Sequence, residues 1–106
     1  MRFFRKKEKI LRVMIIAKTV QDRQDLESRF YEAVRPHIFG YGRKNDKIYR
    51  AFSVTDAKRK IGGGIRLDMV VFGEELPESE IDKLRDCFFP NHLAPSFVML
   101  RPARVA

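Results

Sequence analysis

Side chains able to perform acid–base, nucleophilic or metal chemistry are scarce in this sequence and do not cluster. His37 and His92 each follow a proline closely, and neither has carboxylates at the spacing of metal ligands. Cys87 is the single cysteine, so neither an intrachain disulfide nor a cysteine zinc cluster can form. The sequence therefore predicts no catalytic residue, no bound metal and no cofactor.

Basic residues outnumber acidic ones and are concentrated in the first part of the chain. The 106 residues carry a formal net charge of +8. Residues 1–66 contain 18 Lys and Arg against 7 Asp and Glu, whereas residues 67–106 contain 4 against 7. This asymmetry favours an anionic partner or head-to-tail self-association. A charge that only keeps the protein in solution produces the same pattern.

Two groups of cations are predicted to bind anions such as nucleic-acid phosphates. One lies in a basic N-terminal arm, residues 1–10, where two phenylalanines are suited to base stacking, and the other lies shortly before three glycines. The cations are Arg2, Arg5, Lys6, Lys7, Lys58, Arg59 and Lys60. The alternatives are a solvated terminus and a flexible connector, because these glycines close a helical segment, whereas a phosphate-binding loop opens one.

The arm and the apolar run after it resemble the start of a signal peptide only in part. The run from Ile10 to Ala17 is short, is interrupted by Arg12 and lacks a small-residue cleavage pattern. No stretch approaches the roughly 20 apolar residues that cross a bilayer. The sequence therefore predicts a cytoplasmic protein without a transmembrane segment.

Three uninterrupted apolar runs are predicted to form buried strands. Each is short and is bounded by polar or turn residues, which favours strands over helices. The absence of alternating polar residues indicates burial on both faces, as in the middle of a parallel sheet. The runs are Val13–Ala17, Met69–Phe72 and Phe97–Leu100, and a more mixed segment, Lys47–Val54, is predicted to be an edge strand.

Helical patterns lie between these strands. Thr19 and Asp22 have the spacing of a capping box, and Leu26, Phe30 and Val34 follow as one apolar stripe. The other two predicted helices are Thr55–Ile61 and a segment that begins at a second capping pattern, Ser79 to Asp82, and continues to Phe88.

The alternation of strands and helices predicts an α/β fold with one domain, residues 11–106. We expect a mostly parallel sheet of about four strands with helices on both faces, as in flavodoxin-like proteins. If the short helix at residues 55–61 is left out, the order becomes strand-helix-strand-strand-helix-strand. That order is typical of a ferredoxin-like α+β sandwich, which is the alternative.

The segment Asp68–Pro77 resembles the third strand and following loop of response-regulator receiver domains. It has an acidic residue, four apolar residues, the position of the phosphoacceptor aspartate, three further residues and a proline, in that order. Val13–Ile16 is similar to the first strand of that family. The resemblance covers most of residues 11–100 and implies a receiver-like fold.

The chemistry that the resemblance implies is missing at the corresponding residues. Ala17 and Lys18 stand where a receiver has the acidic pair that holds magnesium, and Gly73 stands at the phosphoacceptor position. Phosphoryl transfer needs a carboxylate nucleophile and a divalent cation. The resemblance therefore implies a degenerate pseudo-receiver, truncated before the family's last strand and helix. Lys18 either replaces the missing cation beside Glu74 and Glu75 or is simply solvated.

The sequence thus predicts a non-catalytic regulatory module that acts through protein–protein contacts. A receiver-like sheet that stops after its fourth strand leaves apolar surface uncovered, so we expect a homodimer or a partner protein to bury Phe97 and Met99. The alternative from another class is a nucleic-acid-binding protein that uses its basic N-terminal half.

Overall fold

Strands and helices alternate along the chain, as the sequence predicts. The computed structural model describes residues 9–42, 45–88 and 94–101. The elements are β1 (Arg12–Ile16), α1 (Val20–Arg29), a π turn (Phe30–Val34), a 3-10 turn (Arg35–His37), β2 (Lys47–Ala51), α2 (Val54–Gly62), β3 (Met69–Gly73), α3 (Glu78–Cys87) and β4 (Ser96–Leu100).

The four strands form one sheet in the order β2-β1-β3-β4, and every neighbouring pair is parallel. This confirms the predicted α/β architecture, which is consistent with a flavodoxin-like fold. The ferredoxin-like alternative is wrong, because such a sandwich requires antiparallel neighbours. None of the helices in the described part of the chain is long and apolar enough to span a bilayer.

Successive residues of the central strands fill two separate hydrophobic cores. On one face, Val13 and Ile15 of β1 pack in a cluster that includes Leu26 of α1 and the completely buried Phe30. The other face contains β1 and β3 side chains together with the buried residues of α2 and α3. Helices therefore cover both faces, which explains why the apolar runs of β1 and β3 are continuous.

A capping side chain explains where α1 begins. Thr19 caps α1, because its hydroxyl accepts a hydrogen bond from the amide of Asp22 at 3.1 Å. The predicted cap at Ser79 is wrong, since α3 begins at Glu78, immediately after the extended Pro77. Ser79 already lies in the first helical turn, where its hydroxyl cannot act as the cap.

Candidate functional site

A crevice lies at the carboxyl edge of the sheet, the edge at which the carboxyl ends of the four parallel strands meet. It is close to β1, where successive connections lead to opposite sides of the sheet. The connection from β1 leads to β2 on one side, and the connection from β2 crosses to β3 on the other. Open α/β sheets bind ligands at such a switch point, because the loops leave the adjacent strands in opposite directions. The crevice has a volume of about 320 Å³. Its lining includes Ile16, Ala17, Lys18, Phe52, Ser53, Val54, Thr55, Glu75, Leu76, Pro77 and Glu80.

Three residues that the sequence analysis singled out, Ala17, Lys18 and Gly73, lie at this edge. Ala17 directly follows β1 and is only 3% exposed, as part of the core under α1. Lys18 is exposed and lines the crevice. Gly73 is the last residue of β3 and is buried. The fold thus brings these separate sequence positions to the ends of the two central strands.

The carboxylate of Glu75 occupies the space beside Gly73 that a side chain would need. A β-carbon placed on Gly73 would lie 2.6 Å from Oε2 of Glu75. Any larger residue at position 73 therefore requires the Glu75 side chain to move.

Lys18 and Glu75 share the crevice without forming an ion pair. Within the described residues, no contact of 4.0 Å or less joins the ammonium of Lys18 to the Glu75 carboxylate. Lys18 is therefore not a fixed counter-charge to Glu75.

The predicted basic cluster on α2 is partly neutralised by a neighbouring carboxylate. Arg59 and Lys60 both contact Asp56, at 2.7 and 3.4 Å. Lys60 also donates to the carbonyl oxygen of Arg50 on the outer edge of β2. Lys58 is exposed, and no ion pair joins it to a carboxylate within the described residues. Arg2, Arg5, Lys6 and Lys7 lie outside the described residues.

Protonation of Asp56 makes the stability at the start of α2 depend on pH. The amide of Phe52 donates to its carboxylate, which lowers the pKa of Asp56, and Arg59 and Lys60 lower it further, whereas burial acts in the opposite direction. A lowered pKa in the folded state stabilises the fold above the unfolded-state pKa. That stabilisation is lost as the pH falls through the folded-state value.

We expect Asp56→Asn to reduce the loss of stability on acidification from neutral pH to below about pH 4. The measurement is the urea midpoint at each pH for the wild type and the variant. Asp82→Asn is the matched control, because Asp82 pairs with Arg85 at the same spacing but is 60% exposed. An acid dependence that changes equally in both variants would contradict the assignment to Asp56.

The two outer strands differ in how their free edges are protected. The β2 edge carries Lys47 and Arg50, and Lys60 covers one of its carbonyl groups. The β4 strand, Ser96–Leu100, contains no charged residue, and no described strand pairs with its outer edge. Charged side chains disfavour strand pairing, so among the described strands β4 has the less protected edge.

Phe97 and Met99 occupy different environments on β4. The ring of Phe97 is half-buried against α3, where it meets Phe88 edge to face at a centroid distance of 6.3 Å and Arg85 at 5.1 Å. Met99 is 47% exposed. Ser96 donates its amide towards β3, so the backbone groups of residues 97 and 99 point outward by alternation. Of the two predicted interface side chains, Met99 is the more accessible.

A buried ion pair that the sequence analysis missed anchors the loop before β2. Nε and Nη2 of Arg35 donate to the two carboxylate oxygens of Asp46 at 2.8 and 3.1 Å. The remaining guanidinium bonds reach the carbonyls of Ile38 and Gly42. Both side chains are less than 10% exposed, at 9% and 5%. The pKa of Arg35 is raised by the hydrogen bond to Asp46, although burial opposes this.

No group of three or more His, Cys, Asp or Glu residues in the described ranges is arranged to hold a metal ion. Cys87 is exposed and contacts the carbonyl of Lys83 within α3.

No protein-family model, curated protein or solved structure matches the chain.

Proposed function

We propose that this protein is a non-catalytic regulatory module, resembling a pseudo-receiver, that acts through protein–protein contacts. The observation that carries the proposal is the state of the carboxyl edge. Buried Ala17 directly follows β1, Gly73 ends β3, and the Glu75 carboxylate fills the space beside Gly73. The sheet has this topology, but positions 17, 18 and 73 lack the carboxylates that phosphoryl transfer requires.

The open β4 edge supports self-association as the mode of action. A two-fold axis beside β4 would pair the outward backbone groups of residues 97 and 99 with those of a second copy and extend the sheet. Met99 would be buried in that interface. The charged β2 edge is unsuited to the same contact, because like charges would face each other.

We expect the wild type to form a dimer at micromolar concentration and Met99→Lys to shift it towards monomer. A lysine at this position places like charges opposite each other across the two-fold axis. Light scattering coupled to size exclusion measures the mass. Val20→Lys is the control, since Val20 is similarly exposed, at 52%, but lies at the start of α1. A monomeric wild type, or equal dissociation by both variants, would refute the β4 interface.

We also expect no phosphorylation by a small-molecule phosphodonor in the presence of magnesium. The described ends of β1 and β3 offer neither an aspartate at position 73 nor an acidic residue at positions 17 and 18. Intact-mass spectrometry after incubation measures the outcome, and a phosphorylatable receiver domain shows that the donor is competent. A stable phosphoryl adduct on this chain would overturn the proposed function.

A further inference from the structure

An aromatic pocket lies at the amino edge of the sheet, on the opposite side of the molecule from the crevice. It has a volume of about 420 Å³. Tyr31, Phe39 and Tyr41 supply its rings, and the 3-10 turn at Pro36 forms part of the wall. Phe39 is 81% exposed, which is more than any other large apolar residue in the described chain. A ligand that covers the Phe39 ring would remove its apolar surface from water, which favours binding.

The pocket is held in shape by the buried ion pair beneath it. Arg35 lines the pocket, binds Asp46 with two hydrogen bonds and holds the carbonyls of Ile38 and Gly42 on either side of Phe39. The bridge between Lys9 and Tyr41 ties the same loop to the segment before β1. A preformed site pays less conformational entropy when it binds a ligand.

Carboxylates near the two tyrosines affect their pKa values. Burial raises the pKa of Tyr31 and of Tyr41, and the nearby Asp46 and Asp68 raise these values further. Asp46 is committed to Arg35, and Asp68 accepts a hydrogen bond from the backbone amide of Arg12. The acidic groups near the pocket therefore serve internal contacts, while the tyrosine rings remain available in its wall.

Exposed cations lie at the amino edge of the sheet. Lys9 and Lys47 are exposed near the starts of β1 and β2, and Arg66 is exposed shortly before β3. At the opposite edge, the loop and first turn after β3 contain four carboxylates, those of Glu74, Glu75, Glu78 and Glu80. The pocket with Phe39 thus lies on the edge that carries these three cations. Flat rings beside cations fit a ligand with both flat bases and phosphates.

We propose that the pocket formed by Tyr31, Phe39 and Tyr41 binds single-stranded nucleic acid, with a base stacked on Phe39 and the phosphates beside the amino-edge cations. A paired base in a duplex presents no free face to Phe39, so single strands bind more tightly. The pocket is distinct from the β4 edge, so this activity does not depend on dimerisation.

The test is fluorescence anisotropy with labelled oligo(dT), oligo(U) and a DNA duplex of equal length, at about 50 and about 200 mM salt. We expect both single strands to bind more tightly than the duplex, with affinity that falls as salt rises. Phe39→Ala should weaken single-strand binding about tenfold, since stacking contributes on the order of 1–3 kcal/mol per base. Phe52→Ala, an exposed phenylalanine at the opposite edge, should bind like the wild type.

A second pair of variants tests the charge. Lys47→Gln should weaken binding at low salt and reduce its salt dependence, whereas Lys18→Gln, at the carboxyl edge, should not. Absence of binding at low salt overturns the proposal. So does equal affinity of Phe39→Ala and the wild type, which would place any binding elsewhere on the chain, and so does preference for the duplex. Capture of a protein partner by Phe39 in place of oligonucleotide would also overturn it.

Discussion

Asp46→Ala is expected to lower the free energy of unfolding by about 3–5 kcal/mol, the usual cost of removing one partner of a buried ion pair. The variant leaves the Arg35 guanidinium, in a side chain only 9% exposed, without its two carboxylate bonds. The carbonyls of Ile38 and Gly42 remain, but they do not neutralise the charge. Urea unfolding at neutral pH, followed by circular dichroism, measures the change.

The control is Asp25→Ala, which removes an ion pair of nearly the same length in a different environment. Arg29 contacts Asp25 at 2.9 Å, but the aspartate side chain is 48% exposed. Exposed pairs of this kind contribute less than about 1 kcal/mol. Equal losses in the two variants would show that the Arg35 pair is not buried in solution. Replacing both partners, as Arg35→Met with Asp46→Leu, should recover part of the loss, because no unpaired charge remains.

The central strands of the sheet were predictable because their burial is visible in the sequence of each strand by itself. The runs Val13–Ala17 and Met69–Phe72 lack polar interruptions, and both belong to strands covered on both faces. The same prediction is wrong for Phe97–Leu100, which forms the outer strand β4, where no residue is fully buried. Thr19 could likewise be identified as a cap from its spacing to Asp22. The same rule failed at Ser79, because Pro77 is compatible with the position before a helix and allowed α3 to begin one residue before the serine.

The amino edge was not predictable, because its key contacts join residues that no periodic pattern relates. Arg35 and Asp46 are separated by a loop, and only its reversal brings the two charges together. The sequence did contain one signal, three aromatic residues between positions 31 and 41 in a segment that also contains Pro36 and Gly40. Proline and glycine indicate a surface loop, but only the folded loop brings the three rings together as a pocket.

Ala17→Asp should lower the free energy of unfolding by several kcal/mol. The variant places an acidic residue where the resemblance to receivers expects one. Ala17 is 3% exposed and packs in the cluster that contains Leu26 and Val71. A carboxylate there must be dehydrated without a described cation in contact, which costs about 1–3 kcal/mol for a polar group and more for a charge. Burial would raise the pKa of the introduced group, so the variant should approach wild-type stability at low pH and diverge as the pH rises.

Lys18→Asp is the matched control, because it introduces the same side chain at the adjacent, exposed position. We expect its unfolding free energy to lie within about 0.5 kcal/mol of the wild type. Urea midpoints of both variants at acidic and neutral pH separate the two positions. A large loss at position 17 alone would show that this position belongs to the core and does not accommodate a hydrated carboxylate. Equal stability of the two variants would instead show that position 17 reaches solvent.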